Sequence, residues 1–283
     1  MIKAANILRP QLKFNPPVDN SASVPFVPRL KSKPHAITPL ADVFKMDADA
    51  SSSASKSLSV SAAMQNHLSS RLGLVSGSST LLHPYLSELQ AVQPSESLLK
   101  PPQNSILPGA PGEGQWVETV EQLEAALAVM SEQTEIAVDL EQHFFRSYQG
   151  FLCLIQISTR STTFLIDALA LRSELYRLNE VFANPRIVKV LHGADFDVLW
   201  LQRDFSVYLV NMFDTGQACQ VLEYPKKALS YLLELYCSVK ADKQYQLADW
   251  RIRPLTPEMR HYAVQDTHYL LYIYDRIRTE LLK

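Results

Sequence analysis

Apolar residues follow two different rules along this 283-residue chain. Up to about residue 112 they are scattered among prolines and serines, and from Val117 they recur at the spacings of helices and strands. Thr119-Val120-Glu121-Gln122 carries a capping-box pattern, followed by Leu123, Ala126, Leu127 and Met130 at helical intervals. Three β-rich runs come next, at 135–140, 151–158 and 163–166, each bounded by polar or turn residues, which predicts a small meander. A helix is expected over about 171–182. Asn184-Pro185 then breaks the chain before the apolar run 187–191, which enters His192-Gly193-Ala194 and a helical pattern at Val198, Leu199, Leu201 and Gln202. A strand near 208–213 and further helices follow, the last one capped by Thr256-Pro257 and running to the end. Three strands followed by alternating helices and strands predict an α/β domain with a mixed sheet, over 113–283.

The front of the chain reads differently. Of 17 prolines, 13 lie between residues 1 and 111, a density that resists regular structure because proline fixes φ and removes a backbone donor. Residues 1–44 space Leu12, Phe14, Val24, Phe26, Val27 and Leu30 among prolines, like an extended strap over a surface or a plain tail. Residues 51–80 hold 12 serines, too polar to offset the entropy of ordering, so 45–80 is expected to be disordered. A Pro-rich connection, 81–112, leads into the domain.

Charge and cysteine content narrow the chemistry. With 27 basic and 29 acidic side chains there is no strongly basic coat, and the residues after 110 carry a formal net charge of −6. Cys153, Cys219 and Cys237 lie far apart with no CxxC spacing, against a zinc ribbon or a disulfide scaffold and for a reducing compartment. No apolar run approaches the ~18 residues of a membrane span, and the start lacks a signal-peptide core, so no membrane partner is expected.

The acidic residues carry the candidate chemistry. Asp139 and Glu141 end the first strand of the meander two positions apart, so both point to one face. Two like charges there are costly unless hydrogen bonds, arginines or a metal neutralise them, although a solvated strand end is the plainer explanation. Asp195 and Asp197 open a helix, where the dipole favours acids in any case. Tyr262 and Asp266 are i and i+4 on the last helix, hence on one face, which also fits a surface pair.

Taken together, Asp-x-Glu on a first strand, Asp on a helix after a later strand and Tyr-x-x-x-Asp on a final helix resemble the DEDD superfamily of 3′-5′ exonucleases. The tyrosine places the resemblance in the branch that includes RNase D. Asp139-Leu140-Glu141, Arg146-Ser147-Tyr148-Gln149-Gly150, the run Cys153 to Arg160, His192-Gly193-Ala194 and the run Asp249 to Leu255 are similar to the exosome-associated exoribonucleases of that branch. So are Arg9 to Phe14, Asp19-Asn20-Ser21 and Lys33 to Ala36 in the front segment. The resemblance implies a ribonuclease H-like mixed sheet flanked by helices. It implies two divalent ions, Mg²⁺ or Mn²⁺, held by Asp139, Glu141, Asp197 and Asp266, with the Tyr262 hydroxyl orienting the attacking water. His143, His192, Tyr245, Gln246, Trp250 and Arg251 are the implied substrate contacts. Single-stranded RNA 3′ ends and the nuclear exosome core with its associated factors are the implied partners, in the nucleus and nucleolus.

The residue types leave some of this open. Trp250 before Arg-x-Arg-Pro can stack on a base or serve as a packing anchor, and Tyr245 and Gln246 share that ambiguity. The histidines lack a third soft ligand and do not imply zinc. Departures from the family pattern fall at Gln142, Phe144 and Phe145 after the Asp-x-Glu, at Phe196 beside Asp197, and at Val264-Gln265 beside Asp266. None removes an acid. Two other classes remain, an RNA- or exosome-binding module with weak chemistry and a DNA-directed exonuclease of the same superfamily.

Overall fold

A computed structural model of the chain describes residues 7, 9–15, 17–18, 28–46, 83–103, 105–145 and 147–283. Its centre is a six-stranded sheet of β1 (Gln115–Val117), β2 (Glu135–His143), β3 (Phe151–Ser158), β4 (Thr163–Asp167), β5 (Val188–Leu191) and β6 (Met212–Asp214) in the order β1-β4-β3-β2-β5-β6. β2, β3 and β4 pair antiparallel as the expected meander, and β5, β6 and β1 add parallel strands, which makes the sheet mixed. The helices are α1 (Leu86–Ala91), α2 (Val120–Ser131), α3 (Asn179–Phe182), α4 (Asp195–Phe205), α5 (Thr215–Val221), α6 (Leu229–Leu232), α7 (Pro257–His268) and α8 (Leu270–Leu281).

Alternation along the strands divides the core in two. Ile136, Val138 and Leu140 of β2 bury with Leu152, Ile155 and Ile157 of β3 against α2, α3 and α4. On the other face Phe151, Cys153, Leu154 and Leu165 meet Met259, Ala263 and Val264 of α7, and Ala137 meets α8 through Leu270, Leu271 and Tyr274. The capping box at Thr119 and Gln122 starts α2 as its sequence predicts, with both reciprocal bonds made.

Three expectations differ in detail. The helix expected over 171–182 is a 3₁₀ turn, Leu175–Leu178, followed by the single turn α3. Asn179 accounts for this: its side chain donates to the carbonyls of Tyr176 and Ser206 and accepts from the Tyr208 amide, competing with helical bonding. The apolar run before β6 is not a strand either, since the Tyr208 and Val210 amides are taken by Asn179 and the Phe182 carbonyl. The last helix divides at Tyr269, so that α7 lies over β2, β3 and β4 while α8 lies over β2 and β5.

The described parts of the front segment sit against the domain. Leu30 is buried with Tyr85, Ala183, Tyr208 and Val210, and Phe14 meets the ring of Phe151 edge-on at 5.4 Å. Leu12, expected as an anchor, is 77% exposed, because the turn it occupies faces it outward. Phe26 and residues 47–82, which hold the serine tract, lie outside the described residues. One ion pair fastens the segment: Lys33 Nζ lies 2.8 Å from Glu88 Oε1, both side chains buried, and the same oxygen accepts from the amides of Ile37 and Thr38. Burial alone would raise Glu88, but Lys33 and these amides bring it below the usual glutamate value. A carboxylate lowered on folding contributes stability above its unfolded pKa that is lost as pH falls through the folded one. Lys33→Ala, which strands Glu88, is expected to cost roughly 3–5 kcal/mol. Hydrogen exchange at the Leu30 and Met46 amides, which bond to Phe44 and Leu30, reads it out. Protection, taken relative to the intrinsic exchange rate at each pH, should fall in the variant, and in the wild type as pH drops below the ordinary carboxylate range; unchanged protection in both would remove the pair from this role.

Candidate active site

β2 delivers the first two acids. Its face toward α7 and α8 carries Ala137, Asp139, Glu141 and His143, and Asp139 lies opposite Gln156 of β3. Immediately beyond, the pairing slips: Glu141 is opposite Leu154 and Gln142 opposite Leu152, so Cys153 is an extra residue on β3. The bulge explains why Phe151 and Cys153, then Leu154, Gln156 and Ser158, share one face, and it bends the strands beside the acids. A solvated strand end is therefore not the environment of Asp139 and Glu141; Glu141 is 8% exposed.

α7 brings the third acid. Thr256 caps it by accepting from the Met259 amide, with Pro257 in the first turn, and Asp266 projects toward β2 one turn after Tyr262. Carboxylate oxygens of Asp139, Glu141 and Asp266 lie within 4.8 Å of one another. Tyr262 lies close enough to Asp266 for the two side chains to shift one another's protonation, so the i, i+4 pair belongs to this cluster and is no surface pair. Asp197, in the first turn of α4, falls outside that tight group but within electrostatic range of Asp139 and Glu141. Asp195 beside it is exposed.

The electrostatics are those of crowded acids. Burial first, then the neighbouring charges of Asp139 and Asp266, raises Glu141 well above the usual range. Asp266 is raised by burial and by Asp139, with Tyr262 opposing, and Asp197 by burial and then Asp139. Burial and the three carboxylates Asp266, Glu141 and Asp139 push the Tyr262 phenol above its ordinary value. All the donors are hard oxygens without a thiolate, the set that suits Mg²⁺ or Mn²⁺. A divalent cation bound among them would lower every one of these values.

Supporting residues escaped the sequence reading. Asp214, at the end of β6, accepts from the amides of Gly193, Ala194, Gly216 and Gln217, and so holds the turn that launches α4 and Asp197 while capping α5. Gly193 is at φ 67°, a conformation open to glycine at little cost. An Asp before Thr-Gly at a strand end is the N-cap signal that could have found it. Gln156, fully buried, donates to Glu141 Oε1 at 3.3 Å. A strand glutamine flanked by Ile155 and Ile157 offered no signal of its own.

The expected substrate contacts divide. Trp250 is 0% exposed and serves as a packing anchor. Arg251 is buried and grips both oxygens of Asp249, at 2.8 and 2.7 Å. His143 is buried with Nδ1 3.4 Å from Asp249, and Tyr245 is buried against Tyr262. His192 is half-buried and bonds Thr215, while Gln246 is exposed. Among the departures, Phe144, Phe145 and Phe196 are exposed, Phe196 stacked on Trp200, whereas Val264 is core. Arg146 lies outside the described residues.

A mixed sheet whose Asp-x-Glu strand meets a Tyr-x-x-x-Asp helix, with a further helix-borne Asp within electrostatic range, defines a class, the DEDD exonucleases. The family model for 3′-5′ exonucleases matches residues 114–282, and the chain belongs to that family. It is 44% identical over 283 residues to human exosome complex component 10, covering 99% of this chain and 32% of that protein. To the Saccharomyces cerevisiae exosome complex exonuclease RRP6 it is 43% identical over 279 residues, 97% of this chain and 34% of that one. The chain thus spans about a third of these relatives. The crystal structure of the RRP6 catalytic core from Trypanosoma brucei matches with a TM-score of 0.78 at 40% identity, covering 98% of this chain and 67% of that chain. Escherichia coli RNase D matches with a TM-score of 0.56 at 28% identity, over 59% of this chain and 44% of that one.

Proposed function

We propose that the chain is a metal-dependent 3′-5′ exoribonuclease that releases nucleoside 5′-monophosphates one at a time from single-stranded RNA. The convergence of Asp139, Glu141 and Asp266, with Tyr262 beside them, carries this reading. Asp139, Glu141, Asp197 and Asp266 would hold two divalent ions, Mg²⁺ or Mn²⁺. Such ions, when bound, neutralise phosphate charge and promote attack in an in-line displacement. The chain's part is to fix geometry: the sheet positions Asp139 and Glu141, α7 positions Asp266, and the Tyr262 hydroxyl orients the water that attacks phosphorus as the 3′ oxygen of the preceding nucleotide leaves. Similarity to exosome complex component 10 and RRP6 supports RNA as substrate, the nuclear exosome as partner, and the nucleus, with the nucleolus, as location. No helix among the described residues is long and apolar enough to cross a membrane.

With a formal net charge of −6 after residue 110, the overall field does not attract RNA, so phosphates must be held locally. Chelator should therefore silence cleavage of a short unstructured RNA, Mg²⁺ or Mn²⁺ should restore it, and Ca²⁺, which tolerates looser geometry, should restore it poorly. The same assay run with a DNA strand separates the reading from a DNA-directed exonuclease. RNA binding with no cleavage in either metal would leave a binding module instead.

A further inference from the structure

We propose that the segment 245–253 is a brace for the Tyr262 ring, in which Tyr245 and Trp250 are positioning residues for its hydroxyl; this rests on the exoribonuclease reading above. The ring of Tyr262 meets two others. Tyr245 has its centroid 5.9 Å away, inclined at 56°, and Trp250 lies 5.9 Å away at 38°. A helical tyrosine carries its hydroxyl at the end of a long lever, and its backbone leaves more than one staggered orientation open. Two rings packed against it restrict that freedom.

The brace is itself fixed to the sheet that carries the acids. Trp250 Nε1 has no hydrogen-bond partner among the described residues, so no polar anchor of its own aims the indole. Its backbone is aimed instead: Arg253 Nη1 donates to the Trp250 carbonyl at 2.8 Å. The same guanidinium grips both oxygens of Asp167, at 2.6 and 2.7 Å, and donates to the Cys153 carbonyl at 2.7 Å, which ties it to the end of β4 and to the bulge of β3. A second tie runs from Arg251 through Asp249 to His143, two residues beyond Glu141 on β2. Tyr262 and the carboxylates on β2 are thereby referred to one frame, though they come from elements more than a hundred residues apart in sequence.

The experiment is a double-mutant cycle in single-turnover RNA cleavage, with RNA affinity measured separately in Ca²⁺. Tyr245→Leu is expected to lower the rate at saturating RNA by roughly 10- to 10²-fold, the order expected from a small misplacement, with affinity unchanged. Placed on Tyr262→Phe, it should cost nothing further, since no hydroxyl remains to aim. Trp250→Leu should behave alike, and Trp250→Phe, which keeps a ring, should recover most of the rate; should Trp250→Leu fail to fold, Tyr245→Leu carries the cycle. Equal losses with and without the hydroxyl, or a loss confined to affinity, overturn the brace while leaving the activity standing. An unchanged rate in Tyr262→Phe alone overturns the role given to that tyrosine, and the brace with it.

Discussion

Asp139→Asn is expected to abolish exonuclease activity and, in metal-free protein at neutral pH, to raise the melting temperature. The first effect follows from position. Asp139 acts electrostatically on every other acid of the site, on Glu141 and Asp266 in the tight group and on Asp197 outside it. An ion ligated by an amide in place of a carboxylate loses charge neutralisation where phosphate charge is greatest. The loss amounts to several kcal/mol in the barrier, or about 10³-fold or more in rate.

The second effect depends on sign. Burial and mutual repulsion raise these acids, so each binds its proton more tightly folded than unfolded. A carboxyl raised on folding costs no stability while it is protonated in both states, below the unfolded pKa. Its cost grows as pH rises through the folded value. Asparagine removes one member of the repelling set, so the stabilisation should be seen at neutral pH and vanish below about pH 4, where unfolded carboxyls are protonated too. Added Mg²⁺ should reverse the order, stabilising the wild type and not the variant. Calorimetry across pH with and without metal checks this. A variant with near wild-type turnover, or one less stable at neutral pH without metal, would mean that Asp139 serves the fold and not the ions.

The strands that place the acids were legible because their periods are simple. Ile136, Val138 and Leu140 bury one face of β2, and the alternation turns Asp139 and Glu141 to the other without any knowledge of the rest of the chain. The capped starts of α2 and α7 were legible for the same reason, a local rule with a local partner. Interruptions imposed from a distance were not. Asn179 breaks its helix through bonds to Ser206 and Tyr208, and the extra residue at Cys153 shows only once β2 is laid beside β3.

Within the site, the identity of the acids came from their pattern, and their company did not. Trp250 and Arg251 sit in a polar loop whose composition suits nucleic-acid contact, yet the tryptophan is core and the arginine is spent on Asp249. Charge that looks free in a sequence is often paired by a neighbour two residues away, and an aromatic beside it is as readily a wedge as a platform. Asp214 shows the converse: an acid with nothing to distinguish it from a helix cap gathers four amides, two of them from the turn before Asp197.

Tyr262→Phe is expected to lower the rate of cleavage far more than it weakens RNA binding. The ring stays, with Tyr245 and Trp250 against it, so the packing of α7 on the sheet loses nothing beyond one hydroxyl. What is lost is a single polar atom beside Asp266, one whose proton affinity burial and then the neighbouring carboxylates push up. A phenol whose ordinary pKa lies near 10 stays protonated at neutral pH, so its contribution is to orient a water and not to take its proton. A positioned group of this kind contributes roughly 10²- to 10⁴-fold. The wild-type rate should accordingly show no titration attributable to a tyrosine, and the variant's pH profile should keep the wild-type shape at a lower height. Single-turnover rates on one short unstructured RNA, with affinities measured in Ca²⁺ to suppress cleavage, separate the outcomes. A fall in affinity that matches the fall in rate would make Tyr262 a substrate contact, and a changed pH profile would give its proton the role that orientation is assigned.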